Sequence, residues 1–243
     1  MTNRSYRHCY HVSGFLGVAV LAFGLPAYHA WAQGGKPVLH VFLPLDAKSS
    51  VVEKTLQGKL SGLTITVFSR FRDFDGAGKP DAMLSIPPVL ESRGAKPAMQ
   101  GMRGGKATEP YVLASVGKPL SGSLSGKTIG AVDLLNRDGT TRFITGLLKA
   151  TDVKIKRVAK VEDLLPLLEF SAADGIVLPS SMLAKLKERT RLPVKMHPLP
   201  GAQVGLPAVA VLNPAARGAI VNALQKLDGA TKSMLGIDDW SAP

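Results

Sequence analysis

Several short polar clusters in this sequence could hold an anion. Gly139-Thr140-Thr141 follows the polar turn Asn136-Arg137-Asp138 and opens an amphipathic run. Backbone N–H groups at a helix start are unpaired and lie at the positive end of the helix dipole. A Gly-Thr-Thr start therefore makes a cradle for negatively charged oxygens. Ser180-Ser181 stands at a second expected helix start. Arg142 lies just inside the first of these helices, where a cation opposes the dipole and fits a nearby anion or Asp138. Arg93, in a Gly- and Pro-rich stretch, could add charge, and Tyr111 could stack on a solute. Each residue also has a plainer duty: Thr and Ser cap helices, Arg is solvated at surfaces, and an aromatic at a strand start packs into a core.

Catalytic chemistry is not in view. His8, His11, His29, His40 and His197 show no metal-ligand spacing, and neither His-Glu-x-x-His nor Gly-x-Ser-x-Gly occurs. Asp133 and Asp138 read as turn and cap residues rather than an acid–base pair. No catalytic residue, metal or cofactor is expected, and the chain is not expected to be an enzyme.

The N-terminus reads as an export signal. Arg4 and Arg7 precede an apolar run over residues 14–25, too short to span a bilayer, and Ala30-Trp31-Ala32 supplies the small residues of a cleavage site. Cleavage is expected near Ala32, giving a periplasmic protein. The one cysteine, Cys9, precedes the apolar run and would leave with it, which excludes disulfides and cysteine-ligated metals. The formal net charge is +12, and the signal carries away Arg4 and Arg7 but no acid. A strongly basic exported chain favours anionic partners. Nucleic acid is not expected, because Lys and Arg are scattered and few aromatics lie among them.

These residues need elements to position them, and the pattern is strands alternating with helices. Strands are expected at 38–43, 63–68, 82–86, 111–116, 127–134, 153–158, 175–178, 193–197 and 206–212. Helices are expected at 50–60, 140–150, 161–170, 181–190 and 215–227, and residues 93–109 read as a mobile surface loop. A Gly-, Pro- and Ser-rich pause at 117–125 interrupts the rhythm once, as an interlobe hinge would. The expected division is a signal over 1–32, a first α/β lobe over 33–117 plus 206–243, and a second over 118–205.

In order along the chain stand Glu109-Pro110-Tyr111, then Leu124-Ser125-Gly126-Lys127-Thr128-Ile129-Gly130, then Gly139-Thr140-Thr141. This series, with the segments at 161–175 and 204–211 and a late Trp240, resembles the type II periplasmic solute-binding proteins of ABC uptake systems. The resemblance is best from Tyr111 onward. It implies two α/β lobes joined by hinge strands, a ligand in the cleft, closure on binding, and an ABC permease as partner, the receptor being a monomer. In the amino-acid-binding branch a first-lobe arginine grips the ligand carboxylate, and Arg93 is a shifted match to it. That branch also places an acid after the strand at 175–178, where this chain has Pro179-Ser180-Ser181. Hydroxyl and amide donors at helix starts suit the phosphonate- or phosphate-like branch better. The implied ligand is a small anion held by Gly139, Thr140, Thr141, Ser180 and Ser181, with Arg93 or Arg142 supplying charge. An apolar cleft carrying a hydrophobic, lipid-like ligand on the same fold is the alternative, and a sensor or accessory domain binding a protein partner is another.

Overall fold

The first strand shows how this chain builds a sheet with two covered faces. The computed structural model describes residues 35–117, 120 and 122–242. The expected signal over 1–32, with Cys9 and the cleavage near Ala32, lies outside the described residues, as do Lys118, Pro119 and Ser121 of the expected pause. In β1 (Val38–Phe42), Leu39 and Val41 alternate with His40 and Phe42, and three of these four are buried. Helix α1 (Ser49–Lys59) buries Val52 and Leu56, four residues apart on one stripe. It also finishes the sheet edge at β2 (Thr64–Phe68). Gln57 accepts from the Ile65 N–H at 3.0 Å, and Glu53 accepts from the Val67 N–H at 2.8 Å, so outward donors of an edge strand are satisfied.

Helix α2 (Phe71–Gly76) follows, then β3 (Ala82–Ser85), α3 (Pro87–Ser92) and β4 (Met99–Met102). Phe71 and Phe74 of α2 pack on Phe42, with ring centroids 5.8 and 5.5 Å apart. Phe68 extends this cluster to His40, whose ring lies edge-on at 5.0 Å.

Beyond β4 come β5 (Thr108–Val116), β6 (Thr128–Val132), α4 (Asn136–Leu148), β7 (Lys154–Val158), a 3₁₀ turn (Val161–Asp163) and α5 (Leu164–Glu169). They are followed by β8 (Gly175–Pro179), α6 (Ser180–Glu188), β9 (Val194–Gly205), β10 (Ala208–Val211), α7 (Arg217–Gln225), α8 (Gly229–Met234) and β11 (Asp239–Ser241). The strands form two mixed sheets, ordered β11-β4-β10-β3-β1-β2 and β7-β6-β8-β5-β9. Both belong to one unit, Lys36–Pro243. This is the two-lobed α/β architecture expected from the sequence.

Four expectations change. Residues 93–109 are not simply a loop: they contain β4, whose buried Met99 and Gly101 face the first lobe's core. The strand with Tyr111 runs in the second sheet, between β8 and β9, not with the first lobe. The expected strand at 193–197 continues to Gly205, because β9 pairs with β5 along its length across an irregularity between Pro110 and Val112. The chain crosses between sheets at 103–107 and again at 206–207, so the described part of the 117–125 pause is no hinge.

The two crossings bond to each other. The Leu206 N–H donates to the Ala107 carbonyl at 2.8 Å, the Gly101 N–H donates to the Pro207 carbonyl at 2.8 Å, and Gln100 Nε2 donates to the Leu206 carbonyl at 2.9 Å. Such close approach leaves no space at Gly101, where a Cβ would sit 2.5 Å from both the Pro207 carbonyl and Ile237. Gly101→Ala is expected to lower stability by about 1–3 kcal/mol through overpacking, read as a drop in Tm. Gly218→Ala, where a Cβ meets nothing within 4 Å on α7, is the control and should hold or raise Tm.

His40 yields a second expectation. Burial first, and the Arg93 guanidinium second, hold its imidazole below the usual 6.5. The fold thus prefers neutral His40, and this part of the stability is present above pH 6.5 and is lost as pH falls through the lowered value. Tm measured downward from pH 7 should decline, and less steeply in His40→Phe.

Candidate functional site

The carboxyl ends of β1 and β2 in one lobe face those of β6 and β7 in the other. Ligands in open α/β sheets collect outside the carboxyl ends of strands. Here those ends enclose a cavity of about 260 Å³. The first lobe gives it Leu43, Lys48, Ser49, Ser50 and Ser69, and the second gives it Val132, Ala159, Lys160, Val161 and Glu162. Helix α1 opens here. Its first bonds run from the Val51 and Val52 N–H groups to the Lys48 carbonyl, and no side chain caps it. Lys48 and Lys160 therefore stand beside the positive end of an eleven-residue helix. Glu162 lies 3.9 Å from Lys160, an exposed pair of little strength.

A second cavity, about 190 Å³, shares Ala159 with the first. Its walls carry Arg70, Phe71 and Arg72 from the first lobe and Asp133, Arg157 and Val158 from the second. Both oxygens of Asp133 are held: Oδ1 accepts from the Thr140 hydroxyl at 2.9 Å, and Oδ2 accepts from Arg157 Nη1 at 2.8 Å. A third and more open cavity, about 750 Å³, shares Phe71 with the second. It is lined by Asp75, Pro88 and Glu91 opposite Asn136, Gly139 and Arg142. On another flank, Arg189 at the end of α6 reaches Asp46 of the β1–α1 loop at 2.6 Å, and only 10% of the Asp46 side chain is exposed.

The expected anion cradle is built differently. Helix α4 starts at Asn136, four residues before Thr140, because Asn136 takes a left-handed φ of 62° and its side chain accepts from the Gly139 N–H at 3.1 Å. Gly139-Thr140-Thr141 thereby moves a turn into the helix. Thr140 points inward and is fully buried, its Oγ1 accepting from the Leu134 and Leu135 N–H groups at 3.1 and 2.9 Å. Thr141 donates to the Arg137 carbonyl at 2.7 Å. Gly139 and Arg142 do line the open cavity.

The other expected residues scatter. Arg93 donates to the Asp75 carboxylate at 2.5 Å and to its carbonyl at 2.7 Å, with its guanidinium 5.9 Å from the Phe74 ring centre. Ser180 and Ser181 begin α6, and Ser181 donates to Glu109 at 2.6 Å. Tyr111 is buried against Phe143 of α4, and its hydroxyl is held above the usual phenol range, first by burial and then by the Glu109 charge. Sequence reasoning missed Lys48, Arg70, Arg72, Arg157 and Lys160. Their common signal was position, since each follows, or ends, a strand at its carboxyl side. Among the described residues, no group of three or more His, Cys, Asp or Glu is gathered to hold a metal ion. No described helix is long and apolar enough to cross a membrane.

No family model matches the sequence, and no curated protein matches it. Solved structures do. The chain is similar to the substrate-binding protein of an amino acid ABC transporter, at 16% identity over 83% of this chain and 97% of that one, with a TM-score of 0.56. It is similar to the GluR0 ligand-binding core from Nostoc punctiforme in complex with L-glutamate, at 15% identity over 82% and 97%, with a TM-score of 0.54. A Xanthomonas citri protein bound to chloride ion matches at 15% identity over 85% and 91%, with a TM-score of 0.58. At these identities the likeness establishes the two-lobed periplasmic-binding-protein fold.

Thr140 is the test of the cleft wall. Thr140→Val keeps the volume but leaves the Leu134 and Leu135 N–H groups without their acceptor and Asp133 Oδ1 without its donor, for an expected loss of about 2–3 kcal/mol. Thr140→Ser retains the hydroxyl and should lose much less, both read by chemical denaturation.

Proposed function

We propose that this chain is a periplasmic solute-binding protein that captures a small anionic solute between its lobes and delivers it to an ABC permease. The observation that carries this reading is the cavity of about 260 Å³ walled by both lobes, with Lys48 and Lys160 on opposite walls beside the start of α1. An anion there contacts both halves of the molecule at once and so favours the closed arrangement over the open one. The export signal expected over 1–32 fits the periplasm. Two solved structures of similar fold carry small charged solutes by their own descriptions, L-glutamate and chloride ion.

An α-amino acid is the less suitable cargo. Strand β8 ends at Pro179 with Ser180 and Ser181 after it, so no carboxylate there meets an ammonium group. Arg93 is committed to Asp75 rather than free to grip a carboxylate. Gly139 and Arg142 take the ligand's outer end. Thr140, Thr141, Ser181 and Tyr111 make no direct contact with the ligand on this reading, since their polar groups are engaged or buried. The receptor binds its cargo unchanged, as a monomer, and needs no cofactor.

Thermal unfolding of the purified protein against phosphate, phosphonates, sulfate, carboxylates, amino acids and a lipid extract tests this. A true ligand at a hundred times its Kd should stabilise the fold by about 2.7 kcal/mol. Stabilisation by one oxyanion class is the expected result, and stabilisation by lipid alone would overturn the anionic assignment.

A further inference from the structure

Three arginines line one small space between the lobes. Arg70 and Arg72 flank Phe71 on the first-lobe wall, and Arg157 stands on the second-lobe wall of the same cavity of about 190 Å³. Among the described residues, neither Arg70 nor Arg72 has an ion-pair partner or a side-chain hydrogen bond. Arg157 spends one N–H on Asp133, whose other oxygen is taken by the buried Thr140 hydroxyl. The one acid on this wall is thus neutralised by one of the three arginines, leaving two positive charges unanswered.

We infer, resting on the solute-binding reading, that the cargo carries a dianionic phosphoryl or phosphonyl group gripped by Arg70, Arg72 and Arg157. The geometry of the donors selects this group. A guanidinium presents planar, paired N–H donors to oxyanions, and here arginines from both lobes line the same cavity. A planar carboxylate offers two oxygens in one plane, whereas a tetrahedral phosphoryl group offers three around an axis and serves both walls together. Its two charges also match the residual charge of the cavity.

The charge arrangement makes closure depend on the ligand. Apart, the arginines of the two walls are screened by water and salt. Brought together without an anion, like charges repel in a space with less water. A dianion turns that repulsion into a bridge. The adjoining cavity of about 260 Å³, reached past Ala159 and walled by Leu43 and Val52 as well as Lys48 and Lys160, takes the organic remainder and any further negative charge on it. The cargo class is therefore a small organic phosphonate or phosphate monoester, with inorganic phosphate as the same head group lacking its remainder.

Calorimetric titration of the purified protein with methylphosphonate, phenylphosphonate, inorganic phosphate, succinate and acetate tests this, beside small-angle scattering for closure. Wild type should bind the phosphonates with compaction. Affinity should fall as pH drops through the second ionisation of each probe, where the group loses its second charge. The exposed pair Arg70→Gln/Arg72→Gln should weaken binding about tenfold or more without a change in Tm. Arg157→Gln should weaken it similarly, but it also uncovers Asp133, so the exposed double variant keeps the test independent of folding. Lys226→Gln, remote on the α7 end, should change nothing. Tighter binding of phenylphosphonate than of phosphate supports an organic cargo, and the reverse supports phosphate itself. Binding and closure with succinate or acetate, unaffected by the double variant, would overturn the dianion while leaving a solute receptor. No phosphoryl or phosphonyl binding would overturn the inference, and no closure with any solute or lipid extract would overturn the receptor reading as well.

Discussion

The two chain crossings between the sheets have to run side by side, and the rest of the molecule follows from that. Residues 103–107 lead out of β4 into β5, and residues 206–207 lead back from β9 into β10. They are joined by main-chain hydrogen bonds and by Gln100. Two adjacent, bonded crossings tie the two sheets together along one line. Side chains reinforce the junction. Arg103 donates to Glu109 at 3.0 Å and also to the Gly236 carbonyl, Glu109 accepts from Ser181 of α6, and the Gly104 N–H donates to Asp238 at 2.8 Å. The glycines at 101 and 205 are the steric side of the same constraint, since a Cβ at Gly205 would fall 2.4 Å from Pro87.

With the crossings placed there, the opposite side of the cleft is left to electrostatics. The Asp46–Arg189 pair joins the β1–α1 loop to α6, and its buried carboxylate makes it more than a surface contact, although Arg189 stays half exposed. Against it stand Lys48 and Lys160 across one cavity and three arginines across the next. A ligand shifts an equilibrium only by its difference in affinity for the two states. On the proposed reading, the Asp46–Arg189 pair and the cations Lys48, Arg70 and Arg72, which have no ion pair among the described residues, would give an anion that difference, because the anion would remove a penalty that only the closed state carries.

The fold was legible because its signals are local. The alternation of Leu39 and Val41 with His40 and Phe42 marks a strand, and Val52 and Leu56 mark a helix, whatever surrounds them. The places where reading failed are those where distant partners decide. Met99–Met102 reads Met-Gln-Gly-Met, with a glycine and no β-branched or aromatic residue, so nothing nearby announces a strand. It becomes one because β10 and β11 flank it. The membership of β5 in the second sheet is likewise set by β8 and β9, neither of which its own residues reveal. The candidate site suffered more, since Arg70, Arg157 and Lys160 are ordinary surface cations until two lobes bring their strand ends together.

Thr140 shows why the type of a residue was a poor guide to its role. A hydroxyl near a helix start can face a ligand or face its own chain, and the difference is one turn of register. Asn136 supplies that turn by adopting the left-handed conformation and capping Gly139 with its side chain. Once the helix begins there, Thr140 must point inward, where its hydroxyl serves the Leu134 and Leu135 amides and then Asp133. Asp133 in turn fixes Arg157 at the cleft wall. The motif that resembles an anion cradle thus acts one bond removed from the cleft: it holds the carboxylate that positions the cation.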